Sequence, residues 1–200
     1  MKKDAILYRI LRPVIKMLFT FLYRPNIVGQ NNIPHDGSVV ICGNHTSMWD
    51  IPLLFCSTKR TIHFLAKDEL FKGIGKPFFT AMACIPVNRR TKDHNALESA
   101  IKVLEKGKLI GIFPEGTFNR TEDIIMPFKY GTVAMASKTN STIVPFSITG
   151  KYKLFHKNSI TICFGKPYKI KSKDLTVANE ELMDKVKKLI IDNRKGDNHE

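Results

Sequence analysis

Short apolar runs alternate with helical segments along most of this chain, and that alternation restricts the fold more than any other feature of the sequence. Two helices are predicted over Asp93–Lys106 and Asn179–Asp192, where apolar residues recur at helical spacing. Asp93 is placed to cap the first helix and Gly107 to end it. Six runs have the length and composition of buried strands: Ser38–Cys42, Thr61–Ala66, Ala83–Asn88, Leu109–Phe113, Thr142–Ile148 and Ile160–Phe164.

This order of elements predicts an α/β fold with a mixed sheet flanked by helices. The chain has 200 residues, which is enough for one domain with its own hydrophobic core. We place that domain at residues 25–194. It follows a membrane-association segment at residues 1–24 and precedes a polar tail at residues 195–200.

The segment at residues 1–24 has the pattern of an amphipathic helix, or helix pair, that lies in a membrane interface. Pro13 is expected to kink the helix or divide it. The longest uncharged run, Met17–Tyr23, is far shorter than the roughly 20 apolar residues that a membrane span requires. At about 100° per residue, Arg9, Arg12 and Lys16 fall opposite an apolar side formed by Leu7, Ile10, Leu11, Val14, Leu18, Phe21 and Leu22.

Positive charge is concentrated in two parts of the sequence. The formal net charge is +14, residues 1–24 contain six Lys or Arg and one Asp, and residues 151–173 contain seven Lys and no acid. Such stretches fit an anionic membrane surface, nucleic acid or an acidic protein. A nucleic-acid-binding module is the alternative from another functional class. No recognition motif accompanies the basic residues, so nucleic acid is not the expected partner.

The first candidate site follows the strand Ser38–Cys42, at the kind of position where α/β sheets usually place reactive groups. The sequence from 43 to 50 is Gly-Asn-His-Thr-Ser-Met-Trp-Asp. On one helix His45 and Asp50 would lie about 140° apart, so His45 is expected in a turn ahead of the helix that carries Asp50. The Asp50 carboxylate would then accept one ring N–H and leave the other nitrogen as a general base. Taken alone, a histidine before a helix is more often a cap or a surface residue.

A second cluster, Gly111-Ile112-Phe113-Pro114-Glu115-Gly116-Thr117-Phe118, ends another strand in a turn. The Asn44-His45 and Asp50 pattern, followed by Phe113-Pro114-Glu115-Gly116-Thr117, resembles the two signature motifs of the glycerolipid acyltransferases. The resemblance runs from Val28 to Gly165 and is to 1-acylglycerol-3-phosphate acyltransferases of the bacterial type. Four further segments match in the family's order and spacing: Lys67-Asp68-Glu69-Leu70, Val87-Asn88-Arg89, Phe128-Lys129-Tyr130-Gly131 and Ile143-Val144-Pro145.

The resemblance implies transfer of a fatty acyl group from an acyl thioester to the sn-2 hydroxyl of lysophosphatidic acid, which forms phosphatidic acid. The donor would be an acyl carrier protein or coenzyme A thioester. The enzyme would be cytoplasmic and peripheral on the inner face of the cell membrane. Another lysophospholipid acceptor is the alternative within the same chemistry. A covalent route through Ser47 or Cys42 is less favoured, because neither residue lies in a nucleophile-elbow motif.

No cofactor and no metal are expected. The direct attack needs neither, and the sequence has no H-E-x-x-H pattern and no dinucleotide- or phosphate-binding glycine loop. The other histidines show no metal-ligand spacing: His35, His63, His94, His156 and His199.

The acceptor phosphate needs cations, and the motifs suggest which residues supply them. Arg89, with Lys67 or Lys129, is the expected clamp. The related enzymes usually have Arg after Phe-Pro-Glu-Gly-Thr, whereas this sequence has Phe118, which cannot hydrogen-bond a phosphate. Either the acceptor lacks that phosphate or another cation replaces the missing one. We expect Arg120 to reach the vacated position and to hold the phosphate together with Arg89, because alternate residues of an extended loop point to the same side.

The turn of the second motif is expected to help as well. Glu115 would organise its loop or bind the glycerol of the acceptor. Backbone N–H groups around Gly116 and Thr117 would help to hold the developing oxyanion or the phosphate.

Overall fold

The fold is a seven-stranded mixed sheet with helices on both faces. The computed structural model describes residues 4–73, 75–88 and 94–196. The strand order is β1-β7-β6-β2-β5-β3-β4; β6 and β7 pair antiparallel, and the other neighbouring strands pair parallel. The strands are β1 Asn26–Val28, β2 Val39–Gly43, β3 Ile62–Lys67, β4 Ile85–Val87, β5 Leu109–Ile112, β6 Thr142–Gly150 and β7 Ile160–Phe164.

All six predicted strands are confirmed, with shifts of at most two residues at their ends. The prediction missed β1 at the sheet edge, because three partly exposed residues carry too little periodicity to be recognised. The predicted mixed sheet is therefore confirmed, and its central strand is β2, between β6 and β5.

The described residues form six α-helices, and the two predicted over Asp93–Lys106 and Asn179–Asp192 are among them. The predicted cap Asp93 lies outside the described residues. The last helix is longer than predicted and includes residues 195 and 196 of the expected tail; residues 197–200 lie outside the described part. The helices are α1 Asp4–Tyr23, α2 Asp50–Ser57, α3 Gly75–Ala81, α4 His94–Glu105, α5 Gly131–Thr139 and α6 Leu175–Gly196.

The sheet divides the apolar core into two layers. Along β2, Val39 and Ile41 face one layer while Val40 and Cys42 face the other, as alternation in a strand requires. Helices α1 and α2 cover the first layer, and α4, α5 and α6 cover the second. All five β2 residues are buried, which is typical of a central strand covered on both faces.

Helix α1 differs from the sequence-based expectation, because it has a second apolar face. It is one continuous helix through Pro13, and it docks on the first core layer through Tyr8, Phe19 and Tyr23. The Arg12 guanidinium turns inward to the Thr58 carbonyl oxygen, so the predicted cationic side is not wholly exposed. The apolar side predicted from the sequence does not include Tyr8, Phe19 or Tyr23.

Only part of the predicted apolar side of α1 faces outward. Leu11 and Leu22 pack against the core. None of the helices in the described ranges combines the length and apolar character that a bilayer span requires. The exposed side chains on the outward face are Ile10, Val14, Met17, Leu18 and Phe21.

Candidate active site

The carboxyl end of β2 holds the first motif against β6. Gly43 lies so close to β6 that a Cβ atom there would fall 2.2 Å from the Phe146 carbonyl oxygen. The Asn44 side chain accepts the Ile148 N–H at 2.8 Å and donates to the Ile148 carbonyl at 2.9 Å. Through these two hydrogen bonds the Asn44 side chain continues the pairing between β2 and β6, and the backbone that leads to His45 is fixed.

His45 and Asp50 form a buried pair, as the sequence predicts. His45 lies in the turn after β2, and Asp50 is the first residue of α2. His45 Nδ1 lies 2.8 Å from Asp50 Oδ2, and Asp50 has no exposed surface. The carboxylate therefore fixes the orientation of the imidazole ring and leaves Nε2 for a substrate.

Four further donors surround the Asp50 carboxylate. The N–H groups of Thr46 and Ser47 donate to Oδ2 at 2.7 and 2.9 Å. The Thr46 hydroxyl donates to Oδ1 at 3.0 Å, and the Tyr152 hydroxyl donates to the same oxygen at 2.5 Å. These donors replace water around a charge that is fully buried. Sequence reasoning missed Tyr152, which lies far along the chain from both motifs.

Two phenylalanines of the second motif pack on the His45 ring. Phe113 stacks on it with ring centroids 3.8 Å apart and an interplanar angle of 10°. Phe118 contacts it at 4.4 Å with an angle of 55°. Phe118, where related enzymes usually have Arg, therefore packs on the candidate base.

Glu115 joins the two motifs through the backbone. Its Oε1 accepts the N–H of His45 at 2.8 Å, and its Oε2 accepts the N–H of Met126 at 2.8 Å. Burial raises the pKa of Glu115, while these two hydrogen bonds oppose the rise. The carboxyl group is buried and holds two loops together, so its position fits the loop-organising role expected from the sequence.

The turn after Glu115 brings Lys129 to the same place. Gly116 has a φ of 74°, and its N–H donates to the Phe113 carbonyl at 3.0 Å within the turn. A Cβ atom on Gly116 would lie 2.8 Å from Lys129 Nζ, so the lysine side chain passes directly over the glycine. Thr117 is exposed.

A cavity of about 640 Å³ opens beside His45 and extends between the sheet and helices α4 and α5. Its lining is mainly apolar and includes Leu65, Val87, Leu97, Ile112 and Met135. Lys129 and His94 supply polar groups to the wall. A space of this size and character is typical of a small-molecule site.

The predicted cations are distributed unevenly around this cavity. All three of the described cations are exposed, but Lys129 lines the cavity, whereas Lys67 and Arg120 are not among the lining residues. Arg89 lies outside the described residues. Asn119 anchors the loop beside Arg120, because its N–H donates to the His45 carbonyl at 2.9 Å and its side-chain oxygen accepts the Thr121 N–H at 2.9 Å.

The two alternative nucleophiles differ in exposure. Cys42 is fully buried, and burial raises the pKa of its thiol far above the usual range. Ser47 is partly exposed, and its hydroxyl accepts the Trp49 N–H at 3.3 Å. The described residues contain no group of three His, Cys, Asp or Glu side chains arranged to hold a metal ion.

Comparison with known proteins places this geometry in a family. The family model described as Acyltransferase matches residues 24–149. A protein of Borreliella burgdorferi named 1-acyl-sn-glycerol-3-phosphate acyltransferase is 40% identical over 141 residues, which are 67% of this chain and 54% of that protein. A Bacillus subtilis protein of the same name is 29% identical over 167 residues, covering 80% of this chain and 82% of its own length.

The fold agrees with a solved structure. The crystal structure of the 1-acyl-sn-glycerophosphate acyltransferase PlsC from Thermotoga maritima superposes with a TM-score of 0.74 at 25% identity, covering 92% of this chain and 78% of that one. The chain thus spans about half of the Borreliella burgdorferi relative and most of the other two proteins. Because the family model covers well over half of its length and includes both motifs, the chain belongs to the acyltransferase family.

Proposed function

We propose that this chain transfers a fatty acyl group from an acyl thioester to the sn-2 hydroxyl of 1-acylglycerol-3-phosphate and so forms phosphatidic acid. The observation that carries the proposal is the buried His45–Asp50 pair, 2.8 Å apart, at the opening of an apolar cavity. The names of the similar proteins support the choice of acceptor.

The chemistry follows from the orientation of His45. With Nδ1–H directed to Asp50, Nε2 takes the proton from the acceptor hydroxyl as the oxygen attacks the thioester carbonyl. Asp50 stabilises the imidazolium that forms. The tetrahedral intermediate then expels the donor thiolate, which recovers the proton from His45. The new ester bond replaces the thioester bond, so the sequence of steps needs no acyl-enzyme.

Phe113 and Phe118 shield the His45 ring from solvent. Their rings cover the imidazole at 3.8 and 4.4 Å, which keeps bulk water away from the base. Exclusion of water strengthens the electrostatic interaction with Asp50 and limits hydrolysis of the donor. Direct attack is favoured over a Cys42 nucleophile because that thiol is fully buried with a strongly raised pKa.

The cavity offers a site for the fatty acyl chain of the donor and a site for the phosphate of the acceptor. Its apolar wall between α4 and α5 suits a fatty acyl chain. At its opening Lys129 supplies a cation for the acceptor phosphate, and Arg89 is a further candidate from its place in the sequence. The donor is a carrier-protein or coenzyme A thioester.

A lipid substrate also implies that the protein binds to a membrane surface. The outward face of α1 exposes Ile10, Met17 and Phe21, with Arg9 and Lys16 exposed on its flank. Apolar side chains flanked by cations suit the boundary between acyl chains and anionic headgroups. We therefore assign a peripheral membrane location, with α1 as one contact.

The test is acyl transfer by the purified chain to a panel of lysolipids, with the product identified by mass. Phosphatidic acid should form from lysophosphatidic acid. His45→Ala should lower the rate by at least about 10²–10⁴-fold, the usual contribution of a general base, while His35→Ala, an exposed control, should not. Retention of more than about a tenth of the rate by His45→Ala would reject the mechanism. Transfer only to another lysolipid would identify that lysolipid, and not lysophosphatidic acid, as the acceptor.

A further inference from the structure

The loop that joins β6 to β7, residues 151–159, carries two exposed apolar side chains at its tip. Leu154 is 52% exposed and Phe155 is 57% exposed. Single exposed apolar residues are common on protein surfaces. These two differ because the loop is attached to the end of α1.

Backbone hydrogen bonds and one ring contact make this attachment. The Phe155 N–H donates to the Leu22 carbonyl at 2.6 Å, and the Asn158 N–H donates to the Arg24 carbonyl at 3.0 Å. The rings of Phe21 and Phe155 meet edge to face with centroids 6.0 Å apart. The tip therefore continues the outward face of α1. We name this continuous area the α1–loop surface: Ile10, Val14, Met17, Leu18, Phe21, Leu154 and Phe155.

The backbone of the loop holds Phe155 outward under strain. Phe155 has a φ of 60°, in the left-handed region that a bulky residue rarely adopts. Such strain persists where the surrounding structure imposes it, and it is concentrated at functional sites. Here the side chain of the strained residue is exposed, so burial of the Phe155 ring within this chain does not offset the backbone strain.

Cations surround the apolar tip. Lys151, Lys153 and Lys157 are exposed, and the loop contains no acidic residue. With Asn26 and Ser159 the three lysines line a cleft of about 560 Å³. A cluster of amines in an open cleft suits phosphate groups, which are the charged part of anionic phospholipids.

The loop also lies beside the candidate active site. Tyr152 is one residue from Lys151, and its hydroxyl reaches Asp50 Oδ1 at 2.5 Å. A bilayer against the α1–loop surface would place His45 and Asp50 close to the lipid headgroups, where a lysolipid is found.

We propose that the loop at residues 151–159 is a second membrane contact of this protein. Leu154 and Phe155 enter the acyl boundary beside α1, and Lys151, Lys153 and Lys157 bind the phosphates of anionic phospholipids. The occupant is a bilayer rather than a protein, because an apolar tip beside three exposed lysines, in a loop without acidic residues, matches the layering of an anionic membrane surface. The inference rests on the proposed function only for the choice of a lipid substrate.

Vesicle binding by the full chain tests this. The probes are phosphatidylcholine vesicles with and without phosphatidylglycerol. Leu154→Ser with Phe155→Ser should weaken binding to both kinds by about 10-fold or more, through loss of apolar burial. The matched control is Val177→Ser with Ile191→Ser, which changes two exposed apolar residues on α6. The control should bind as the wild type does.

The lysines require a separate variant. Replacing Lys151, Lys153 and Lys157 by Gln should weaken binding to anionic vesicles by roughly 10- to 100-fold at low salt, with little effect at high salt or on neutral vesicles. Replacing Lys102, Lys138 and Lys188 by Gln is the charge-matched control on α4, α5 and α6. Equal losses in loop and control variants would overturn the proposal. So would loop variants that bind as the wild type does, or that lose only affinity for an acidic carrier protein.

Failure of this proposal is distinguishable from failure of the proposed function. Acyl transfer by the wild-type chain to a short-chain lysophosphatidic acid in solution requires no bilayer. If the wild-type chain is active in this soluble assay and the loop variants bind vesicles as the wild type does, the proposed function is retained and the membrane contact of the loop is rejected.

A different observation supports a second inference, concerning Tyr152 itself. Its ring packs against Phe19 and Tyr23 of α1, with centroids 6.2 and 5.7 Å away. Burial, and then the neighbouring Asp50 charge, raise the pKa of Tyr152, so the hydroxyl remains a donor. It is thus a fixed donor to the oxygen of Asp50 that His45 does not use. We infer that Tyr152 is a positioning residue that holds the Asp50 carboxylate in the orientation His45 requires.

Tyr152→Phe removes only the hydroxyl. We expect kcat to fall about 10-fold with the KM values for donor and acceptor within about twofold, because the ring and both substrate sites remain. The control is Tyr168→Phe, since the buried Tyr168 hydroxyl has no hydrogen-bond partner in the part of the chain that the structure describes. The control should retain the wild-type kcat.

A spectroscopic measurement separates positioning from simple support of the fold. The Nδ1 proton of His45, hydrogen-bonded to Asp50, should resonate far downfield of the amide region and should move in Tyr152→Phe but not in Tyr168→Phe. This readout requires no substrate, so it does not depend on the proposed function. An unmoved resonance, an unchanged kcat, or equal losses in both variants would reject the role.

Discussion

The Glu115 carboxylate accepts the backbone N–H of His45 at 2.8 Å, so the second motif fixes the residue on which the first motif depends. The other carboxylate oxygen accepts the Met126 N–H at the same distance. Both oxygens act as acceptors, and these hydrogen bonds oppose the rise that burial causes in the pKa of Glu115. The residue is therefore suited to holding backbone rather than to exchanging protons with a substrate.

Glu115→Gln should impair the enzyme without removing a catalytic group. The amide NH₂ would face one of two backbone N–H groups and leave it unsatisfied. We expect kcat/KM to fall about 10- to 100-fold, equivalent to the roughly 1.5–3 kcal/mol of a hydrogen bond to a charged group. Thermal unfolding should also occur at a lower temperature. Glu122→Gln changes an exposed residue of the following loop and should alter neither measurement.

Asn44 should matter for stability, because its side chain satisfies both backbone groups of Ile148. Asn44→Ala leaves a buried N–H and a buried carbonyl without partners, each costing about 1–3 kcal/mol. Urea unfolding should therefore show a loss of roughly 2–6 kcal/mol. Asn193→Ala removes side-chain hydrogen bonds to the Ser147 hydroxyl and the Cys163 thiol, leaves no backbone group without its partner, and should cost less. A smaller loss in Asn44→Ala than in Asn193→Ala would contradict this account.

The sequence was sufficient to predict the elements whose signals are local. The strand ending at Gly43 is an uninterrupted apolar run, and the spacing of His45 and Asp50 excludes one helix for both. The turn ahead of α2 followed from those two facts, and the structure confirms it.

Elements that depend on distant contacts were missed or misjudged. Helix α5 has only nine residues, and its buried side includes Thr132 and Ala136 beside Val133 and Met135, so the apolar pattern is too weak to recognise in the sequence. The Tyr152 hydroxyl meets Asp50 only because β6 runs parallel to β2 and both strands end at the same edge. Neither the burial of α5 nor the contact between Tyr152 and Asp50 can be deduced from the spacing of residues in the sequence.

The cavity beside His45 should limit the length of the acyl chain. Ala134 of α5 lines it, and a larger side chain there would occupy part of the space. Ala134→Phe should shift the preference toward shorter acyl groups, because overpacking excludes the end of a long chain. Competition between donors of different chain length, read out by product mass, measures the shift. Ser137→Phe adds the same ring to an exposed position of α5 and should leave the preference unchanged. An unaltered preference in Ala134→Phe would place the acyl chain elsewhere.

Lys129 should contribute more than Arg120 to recognition of the acceptor phosphate. Both side chains are exposed, but Lys129 lines the cavity and passes over Gly116, whereas Arg120 is outside the cavity lining. Lys129→Ala should raise KM for lysophosphatidic acid by about 10- to 100-fold, as expected for loss of a charged hydrogen bond. Monoacylglycerol has no phosphate, so its KM should change much less.

Arg120→Ala is the matched comparison, since it deletes another cation that follows the second motif. Because Arg120 is outside the cavity lining, the KM of Arg120→Ala for lysophosphatidic acid should change by no more than about twofold, equivalent to roughly 0.5 kcal/mol. Steady-state kinetics with both acceptors separates the two residues. A larger effect for Arg120→Ala than for Lys129→Ala would support the sequence-based assignment of Arg120. Equal effects of Lys129→Ala on both acceptors would mean that this lysine supports the turn at Gly116 rather than the phosphate.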